Sequence, residues 1–587
     1  MILTQRSTDG RVRVNFGRRG ADDGKVFPLA SLQRFQMSFS TKLPKVHLQE
    51  RVANAFRKIE ALESTYETIT IAQLVSMRAQ THGSITAIDV FERGERATYS
   101  EMDQLSNKYA HALRGVGVRK GDRIGVMLPN RIEFPILWFA IAKLGAVIVP
   151  INMRYTPREI EYVLSDTQAK FAIVDESAIA VFLDMEPWPQ DLAKQRVILI
   201  GQPSDSRAIC IDRLLKGVKD SHVKEDIQPE DLLNIQYTSG TTGFPKGCML
   251  THDYWGVSSY QWACGDVHPY RRYFSMHPLF YVDALGHLMK SYRQGGTLYL
   301  ARSISSSRFL GWVKEHRIEW CMFPDLIARQ AEAADEDGIT CLKQCLTWGC
   351  SPDTVRKLRK RFKVGTQDAY GMTEIAFGTQ MPNELDEMAD SGSVGIRSPF
   401  RSLRLMNDDS TPTPVGEVGE LWVSGRGILE GYWNKPEANA TLFEGEWFKT
   451  GDLLRRDELG FHWLVGRTKD MIRRSNENVA AREVEAVIRA IPEIADVAAV
   501  PVRDEKRGEE IKLYVELREG LAPSDSHVAR ILEHARANLA VFKLPRYIAF
   551  TSRLPRTTSS NKVLKSQLMA VSDPLAGTYD TEEKRWR

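Results

Sequence analysis

Between Leu232 and Leu250 two apolar runs flank a polar, glycine-rich stretch, and this arrangement constrains the fold more than any other feature of the chain. The stretch reads Tyr237-Thr238-Ser239-Gly240-Thr241-Thr242-Gly243-Phe244-Pro245-Lys246-Gly247. Leu232-Leu233-Asn234-Ile235 precedes it and Cys248-Met249-Leu250 follows. The pattern predicts a strand, a loop that binds a polyanion, then a second buried element. Glycines let backbone approach a ligand closely. Backbone N–H groups and hydroxyls donate to phosphate oxygens, and Lys246 adds a point charge. A solvated surface turn rarely combines so many donors with a single lysine. A Walker A loop is excluded, because that pattern ends in Gly-Lys-Ser/Thr. Here Pro245 precedes Lys246 and Gly247 follows it.

Around this loop, strand patterns alternate with helical ones. Ile124 to Leu128, Ala146 to Ile151, Phe171 to Val174 and Val197 to Ile200 read as buried strands. Ser100 reads as a helix N-cap with Asp103 three residues on, and Thr156-Pro157-Arg158-Glu159 as a capping box with proline at the first helical position. Leu298 to Leu300, a helix from Phe309 to Glu315 and Trp320 to Phe323 continue the alternation. Short strands between glycine and proline turns then run from Ser402 to Trp463. From Arg467 onward, helices from Ala481 to Ile491 and Ser526 to Leu539 mix with strands near Val497, Tyr514 and Ile548. The fold class expected is α/β with largely parallel sheet: a large N-terminal domain of α/β subdomains plus a small β-rich subdomain, joined to a small α+β C-terminal domain. The boundaries expected are an N-terminal extension over 1–65, partly disordered up to about Thr41 with a helix near 46–60, then domains over 66–466 and 467–573, and a tail over 574–587.

Composition removes several classes. A chain of 587 residues holds two to four domains. The net charge of +4 conceals +7 in residues 1–60 and −3 in the rest. The body lacks the basic-aromatic pattern of a nucleic-acid binder. Seven cysteines in a chain this long form no disulfide framework, which points to a reducing, cytoplasmic setting. Cys341, Cys345 and Cys350 lie close together without a C-x-x-C pair, so buried thiols outweigh a zinc site. The apolar region from Phe134 to Ile151 is broken by Lys143, Gly145 and Pro150 and is no membrane span. The N-terminus has no apolar secretion signal, and Asp9, Asp22 and Asp23 argue against an Arg-rich targeting segment.

Four further constellations follow the loop. Asp368-Ala369-Tyr370-Gly371-Met372-Thr373-Glu374 alone reads equally as a strand-to-helix turn. Glu446-Trp447-Phe448-Lys449-Thr450-Gly451-Asp452 ends in an aspartate after a glycine turn. Gly466-Arg467-Thr468-Lys469-Asp470 is a charged connector. Leu554-Pro555-Arg556-Thr557-Thr558-Ser559-Ser560-Asn561-Lys562 is a polar loop near the C-terminus. Together with Thr238 to Gly247, in this order over roughly residues 70–570, they resemble the motifs of the adenylate-forming superfamily: acyl-CoA synthetases, peptide-synthetase adenylation domains and luciferases. Glu420 to Gly425 and Gly431-Tyr432-Trp433 resemble its intervening motif. His277-Pro278-Leu279-Phe280-Tyr281 resembles the acyl-CoA synthetase form of the gating segment.

The resemblance implies roles. Thr238, Ser239, Gly240, Thr241, Thr242, Gly243 and Lys246 would hold the phosphates. Asp368, Tyr370, Gly371 and Met372 would frame the nucleotide, with Tyr370 stacking on adenine. Thr373 would bind the α-phosphate, Glu374 Mg2+, Asp452 the ribose hydroxyls and Arg467 the nucleotide. Lys562 would bridge carboxylate and α-phosphate, and Lys469 would be the hinge. Tyr281, Trp348, Gly349 and Cys350 would line the acyl pocket; Ser475, Asn476, Glu477, Lys543 and Arg546 would meet coenzyme A. The activity implied is AMP-forming acyl-CoA ligation with ATP, Mg2+, coenzyme A and a small carboxylic acid; a homodimer is left open. Three positions depart from the pattern: Tyr281 replaces a histidine, Ser475-Asn476 replaces Gly-Gly, and Asn561 replaces a glycine before the lysine. The alternatives are transfer to a carrier protein, a single half-reaction, and nucleotide or acyl binding without turnover.

Overall fold

The computed structural model describes residues 45–587 except 203–204, 239–244, 267, 325–326, 328–340, 475–476, 505–506, 540 and 557–561. The expectation of disorder before Thr41 lies outside the described residues.

Two seven-stranded sheets carry the large domain. The first runs Ile209–Cys210, Val197–Ile200, Phe171–Asp175, Arg123–Met127, Val147–Pro150, Leu232–Thr238 and Lys246–Thr251. All neighbours are parallel until the last strand, which returns antiparallel beside Leu232–Thr238. The second runs Gly365–Gln367, Gln344–Leu346, Trp320–Met322, Arg272–Ser275, Thr297–Leu300, Thr86–Val90 and Glu95–Thr98, parallel except for its terminal hairpin. The strands of the first sheet read as continuous apolar runs because they are covered on both faces. The helix Glu133–Lys143 is buried from Phe134 to its end. Its core joins Ile124 and Ile173 of the first sheet to Ile88 and Leu298 of the second. A helix apolar all round belongs in such a place.

The parallel topology decides where chemistry can sit. In open α/β sheets ligands bind beyond the carboxyl ends of the strands. The glycine-rich loop follows Leu232–Thr238, the segment His277–Tyr281 follows Arg272–Ser275, Trp348-Gly349-Cys350 follows Gln344–Leu346, and Asp368 follows Gly365–Gln367. The last three segments leave parallel strands of the second sheet on one side, and Gln236 in the strand before the loop donates to the Phe280 carbonyl at 2.9 Å, which joins the loop's strand to them.

The β-rich part pairs Ser402–Met406, Val418–Ser424, Trp447–Arg456 and His462–Arg467 in antiparallel order. The C-terminal α+β part is built on Ile494–Asp504 and Gly508–Leu517, with Tyr547–Thr551 parallel to the latter. The α/β fold class holds as expected, with the larger N-terminal and smaller C-terminal parts. No helix among the described residues is long and apolar enough to cross a membrane.

Two local expectations are corrected, and the helix expected near 46–60 is present. The helix Tyr99–Gly115 is capped by Thr98, not Ser100. The Thr98 hydroxyl accepts from the Glu101 N–H, and Glu101 accepts from the Thr98 N–H at 2.8 Å. That reciprocal pair outcompetes Ser100, whose partner Asp103 cannot reach back as a glutamate does. The tail over 574–587 is folded: Thr578–Asp580 pairs with Tyr547–Thr551, and Arg585–Trp586 pairs with Thr578–Asp580. The helix in the N-terminal extension spans Lys45–Ser64, and Val52, Ala55 and Ile59 pack on Met381, Leu385 and Phe461. Thr98→Ala is expected to lower unfolding free energy by about 1 kcal/mol, and Ser100→Ala by less than about 0.5 kcal/mol, measured by denaturant titration.

Candidate active site

The return strand Lys246–Thr251 has a further neighbour. Trp433 donates its N–H to the Gly247 carbonyl, Met249 donates to Gly431, and Cys248 bridges to Tyr432. The segment Gly431-Tyr432-Trp433 thus runs along the base of the glycine-rich loop. It brings the Tyr432 ring under Lys246, whose Nζ lies 4.9 Å from the ring centroid. The same tyrosine donates its hydroxyl to Glu374 Oε1 at 2.7 Å. Tyr432 therefore joins Lys246 to Glu374 through its π face and its hydroxyl. It belongs to a segment singled out in the sequence, but its role there was missed. Burial raises Glu374 above the usual carboxylate range, and the Tyr432 hydrogen bond opposes that rise.

Asp166 anchors the other side of the loop. It accepts from the Tyr237 hydroxyl at 2.6 Å and pairs with Lys435 at 2.7 Å. Its carbonyl takes the Trp433 indole and the Asn434 amide. Tyr162 donates to the Pro245 carbonyl at 3.2 Å. Thr238 ends its strand beside Lys246. Ser239, Gly240, Thr241, Thr242 and Gly243 lie outside the described residues.

The segment from Asp368 forms a tight hairpin, Ala369–Met372 against Ala376–Gln380. Gly371 is required there: a methyl group on it would lie 2.1 Å from the Ala376 carbonyl oxygen. Met372 is half-buried, and Thr373 is fixed through its carbonyl by the Tyr254 hydroxyl at 2.8 Å. Tyr370, 4% exposed, donates to Asp452 Oδ2 at 2.7 Å, while Arg467 Nε donates to Oδ1 at 2.9 Å. Asp452 and Arg467 are partners in strand register, which explains their meeting. Each carboxylate oxygen accepts more than one hydrogen bond, so Asp452 keeps capacity for further donors. Because Tyr370 is so covered, stacking on its ring requires a neighbour to move. Lys469 lies in the turn Thr468–Asp470 just beyond.

Asp368 is buried beneath this hairpin. It accepts from Ala369 at 2.8 Å and from the Gly349 N–H at 3.4 Å. Burial pushes its carboxyl up to about 7 against those donors and Arg482. Trp348 and Cys350 flank Gly349, and the Tyr281 hydroxyl accepts from Asn152 at 2.9 Å.

The C-terminal part reaches into the same cleft. Lys562 stays solvent-exposed, yet its ammonium is lowered by desolvation and by Arg467, and is drawn upward by Asp283, Asp452 and Glu374. Arg482, also partly in solvent, is likewise lowered by desolvation and attracted by Asp368 and Asp452. Asp283 and Arg482 were missed from sequence. An acid two residues after the gating aromatic, and a cation opening the first helix past the connector, were the available signals.

The expected coenzyme A contacts fare differently. Ser475 and Asn476 lie outside the described residues, and Glu477 opens the strand Glu477–Ala480. Lys543 Nζ is held by both Glu483 oxygens at 2.6 and 2.7 Å. Arg546 is likewise held within its own part. It pairs with Asp504 at 2.9 Å and lies within 3.7 Å of Asp580, Glu510 and Glu582. Its guanidinium neutralises an acidic pocket of the small domain and does not face outward. A basic residue beside a proline turn gave no hint of four carboxylates brought from other strands.

Arg546→Ala is expected to destabilise the C-terminal part by about 1.5 to 3 kcal/mol, because Asp504 loses its 2.9 Å pair while Arg474, Arg507 and Arg587 still hold Glu510, Glu582 and Asp580; a thermal melt checks this. A ligand contact would instead raise the acceptor KM without shifting Tm. A raised folded-state pKa makes the Asp368 contribution full in acid and lost as pH rises through about 7. The wild type is thus expected to lose on the order of 3 kcal/mol relative to Asp368→Asn between about pH 5 and pH 8. Paired melts at the two pH values measure it.

The comparisons agree with this geometry. The model of the AMP-binding enzyme family matches residues 75–433, and that of the AMP-binding enzyme C-terminal domain matches 483–561. The chain is 32% identical over 480 residues to the long-chain-fatty-acid–CoA ligase FadD13 of Mycobacterium tuberculosis, covering 81% of this chain and 92% of that protein. It is 30% identical over 495 residues to a crotonobetaine/carnitine–CoA ligase of Escherichia coli, covering 80% and 93%. The solved anthranilate CoA ligase AuaEII, in complex with anthranoyl-AMP, superposes with a TM-score of 0.77 at 22% identity over 87% of this chain and 98% of that one, a likeness of fold. The chain belongs to the AMP-binding enzyme family, the adenylate-forming superfamily that its motifs resemble, and within it to the acid–thiol ligases.

Proposed function

We propose that the protein is an AMP-forming acyl-CoA ligase. In the first half-reaction a carboxylate oxygen attacks the α-phosphorus of ATP, the bond to the β-phosphate oxygen breaks, and pyrophosphate leaves. In the second, the coenzyme A thiol attacks the acyl carbonyl, loses its proton, and AMP departs. The observation that carries this reading is Lys562, supplied by the C-terminal part within electrostatic reach of Glu374, Asp452 and Asp283 of the large domain. Two anions must meet for adenylation, and a cation between them lowers their repulsion.

The remaining residues divide the substrate. Lys246 and the hydroxyls of Thr238, Ser239, Thr241 and Thr242 grip the pyrophosphate end. Tyr370 and Gly371 frame adenine, Thr373 faces the α-phosphate, and Asp452 with Arg467 takes the ribose. Glu374 offers one buried hard oxygen donor, and no group of three or more His, Cys, Asp or Glu able to hold a metal occurs among the described residues. That donor set fits Mg2+ arriving with a polyphosphate, since Mg2+ is commonly bound through one or two carboxylates plus phosphates. When bound, the ion neutralises phosphate charge. Lys469 is the hinge about which the small domain turns between the half-reactions.

A second acceptor is favoured by one observation. Arg546 pairs with carboxylates of its own part, and Ser475-Asn476 stands in the sequence where the family has Gly-Gly. A carrier-protein phosphopantetheine is therefore the alternative acceptor. Lys562→Ala is expected to abolish acid-dependent pyrophosphate exchange while thioester formation from supplied acyl-adenylate persists. Equal loss of both would remove the adenylation role of Lys562. Running the thioester assay with coenzyme A and with a carrier protein separates the acceptors.

A further inference from the structure

The helix Val282–Gln294 begins directly after the gating segment and packs against the helix His252–Cys264, which sets this pair beside the reaction centre proposed above. Asp283, in the first turn of its helix, attracts the Lys562 ammonium, and the Gly349 N–H faces Asp368. Gly286 and His287 are three and four residues further on, so they share the face of Asp283 one turn deeper.

That face is closed by aromatic rings. Trp262 lies on Gly286: a methyl group there would sit 2.4 Å from the indole nitrogen and 2.7 Å from Cζ2. The Trp262 ring meets Phe377 edge-on at 4.6 Å and His287 at 5.1 Å between centroids. Phe377 meets Trp348 at 5.8 Å, which completes the wall from helix to turn. Tyr281, Asp283 and Trp348 keep partial exposure, while Trp262 is 8% exposed, Phe377 1% and His287 0%. The wall is also backed. Lys290 Nζ donates to the Trp262 carbonyl at 2.5 Å and pairs with Asp266 at 2.5 Å, both side chains 1% exposed. Pushing Trp262 aside would disturb a buried ion pair, and a buried charge left alone is strongly unfavourable.

We infer that Trp262, seated on Gly286, is the floor of the acyl pocket and restricts the enzyme to compact acids, short aliphatic or single-ring, against long-chain fatty acids. The inference rests on the adenylating function proposed above. It makes Trp262 a specificity-determining residue and Gly286 the position that admits it.

The test is acid-dependent pyrophosphate release by the full chain with butanoate, hexanoate, benzoate, octanoate, dodecanoate and hexadecanoate. Wild-type kcat/KM for the best compact acid is expected to exceed that for dodecanoate by about 100-fold. Trp262→Ala is expected to raise kcat/KM for dodecanoate about 10-fold or more and to lower it for the compact acid, with Trp262→Phe between them. Wild-type preference for dodecanoate or hexadecanoate overturns the inference. So does a Trp262→Ala variant that lowers all acids in the same proportion, because that is a structural effect. If Trp262→Ala does not fold, the wild-type profile and Trp262→Phe decide. Release with no acid at all, while ATP still binds, removes the adenylating reading itself and the inference with it.

Discussion

Glu374 is a carboxylate buried in a site meant for polyanions, and the rest of the site is arranged around keeping it there. Alone it would take up a proton on burial. The Tyr432 hydroxyl 2.7 Å away favours the ionised form against burial, and Lys246 rests over the face of the same ring. One aromatic side chain thus couples the acid to the lysine without letting them neutralise each other in a direct ion pair. Both charges remain available to a ligand. The coupling depends on the antiparallel return of Lys246–Thr251, since that edge is what the Gly431–Trp433 segment pairs with.

The same separation of charges recurs across the cleft. The large domain contributes Asp283, Glu374 and Asp452; the cations Lys562 and Arg482 come from the C-terminal part, and Arg467 from the connecting strand. Acids on one body and bases on the other attract the two across the cleft even where individual surface pairs contribute little. Lys562 and Arg482 each sit where desolvation works against their charge and the opposing carboxylates restore it. An attraction offset in this way suits the domain turn proposed above.

The contiguous parts of this site were legible in the sequence and the long-range parts were not. The strand alternation, the capping box at Thr156 and the order of the motifs are properties of short windows, and those windows carry their own geometry. Tyr432 escaped assignment because its partner Glu374 lies 58 residues away. The surroundings of Arg546 were not legible because a lysine-leucine-proline-arginine turn looks exposed until four carboxylates distant in sequence close on it. The C-terminal hairpin was read as a tail because its strands are three and two residues long, below what periodicity resolves. The seat of Trp262 on Gly286 joins two helices, and no window contains both.

Arg401 shows how such hidden contacts hold the legible ones in place. It is 2% exposed and, in place of a carboxylate, its guanidinium is surrounded by main-chain carbonyls. It donates to Ile375 at 2.7 Å, Phe377 at 3.1 Å, Phe400 at 3.0 Å, Gly427 at 3.0 Å and Arg426 at 2.5 Å. Desolvation lowers it to about 10, far less than is needed to lose its proton at neutral pH. The cation ties the turn immediately after Glu374 to the loop that leads to Tyr432, and the Leu429 N–H on the Glu374 carbonyl completes the link. Five carbonyls converging on one fixed planar donor specify the distance between those two segments far more tightly than apolar packing would. The 2.7 Å approach of Tyr432 to Glu374 is the outcome of that constraint. The motif at Asp368 to Glu374 therefore owes its working geometry to a residue outside every motif.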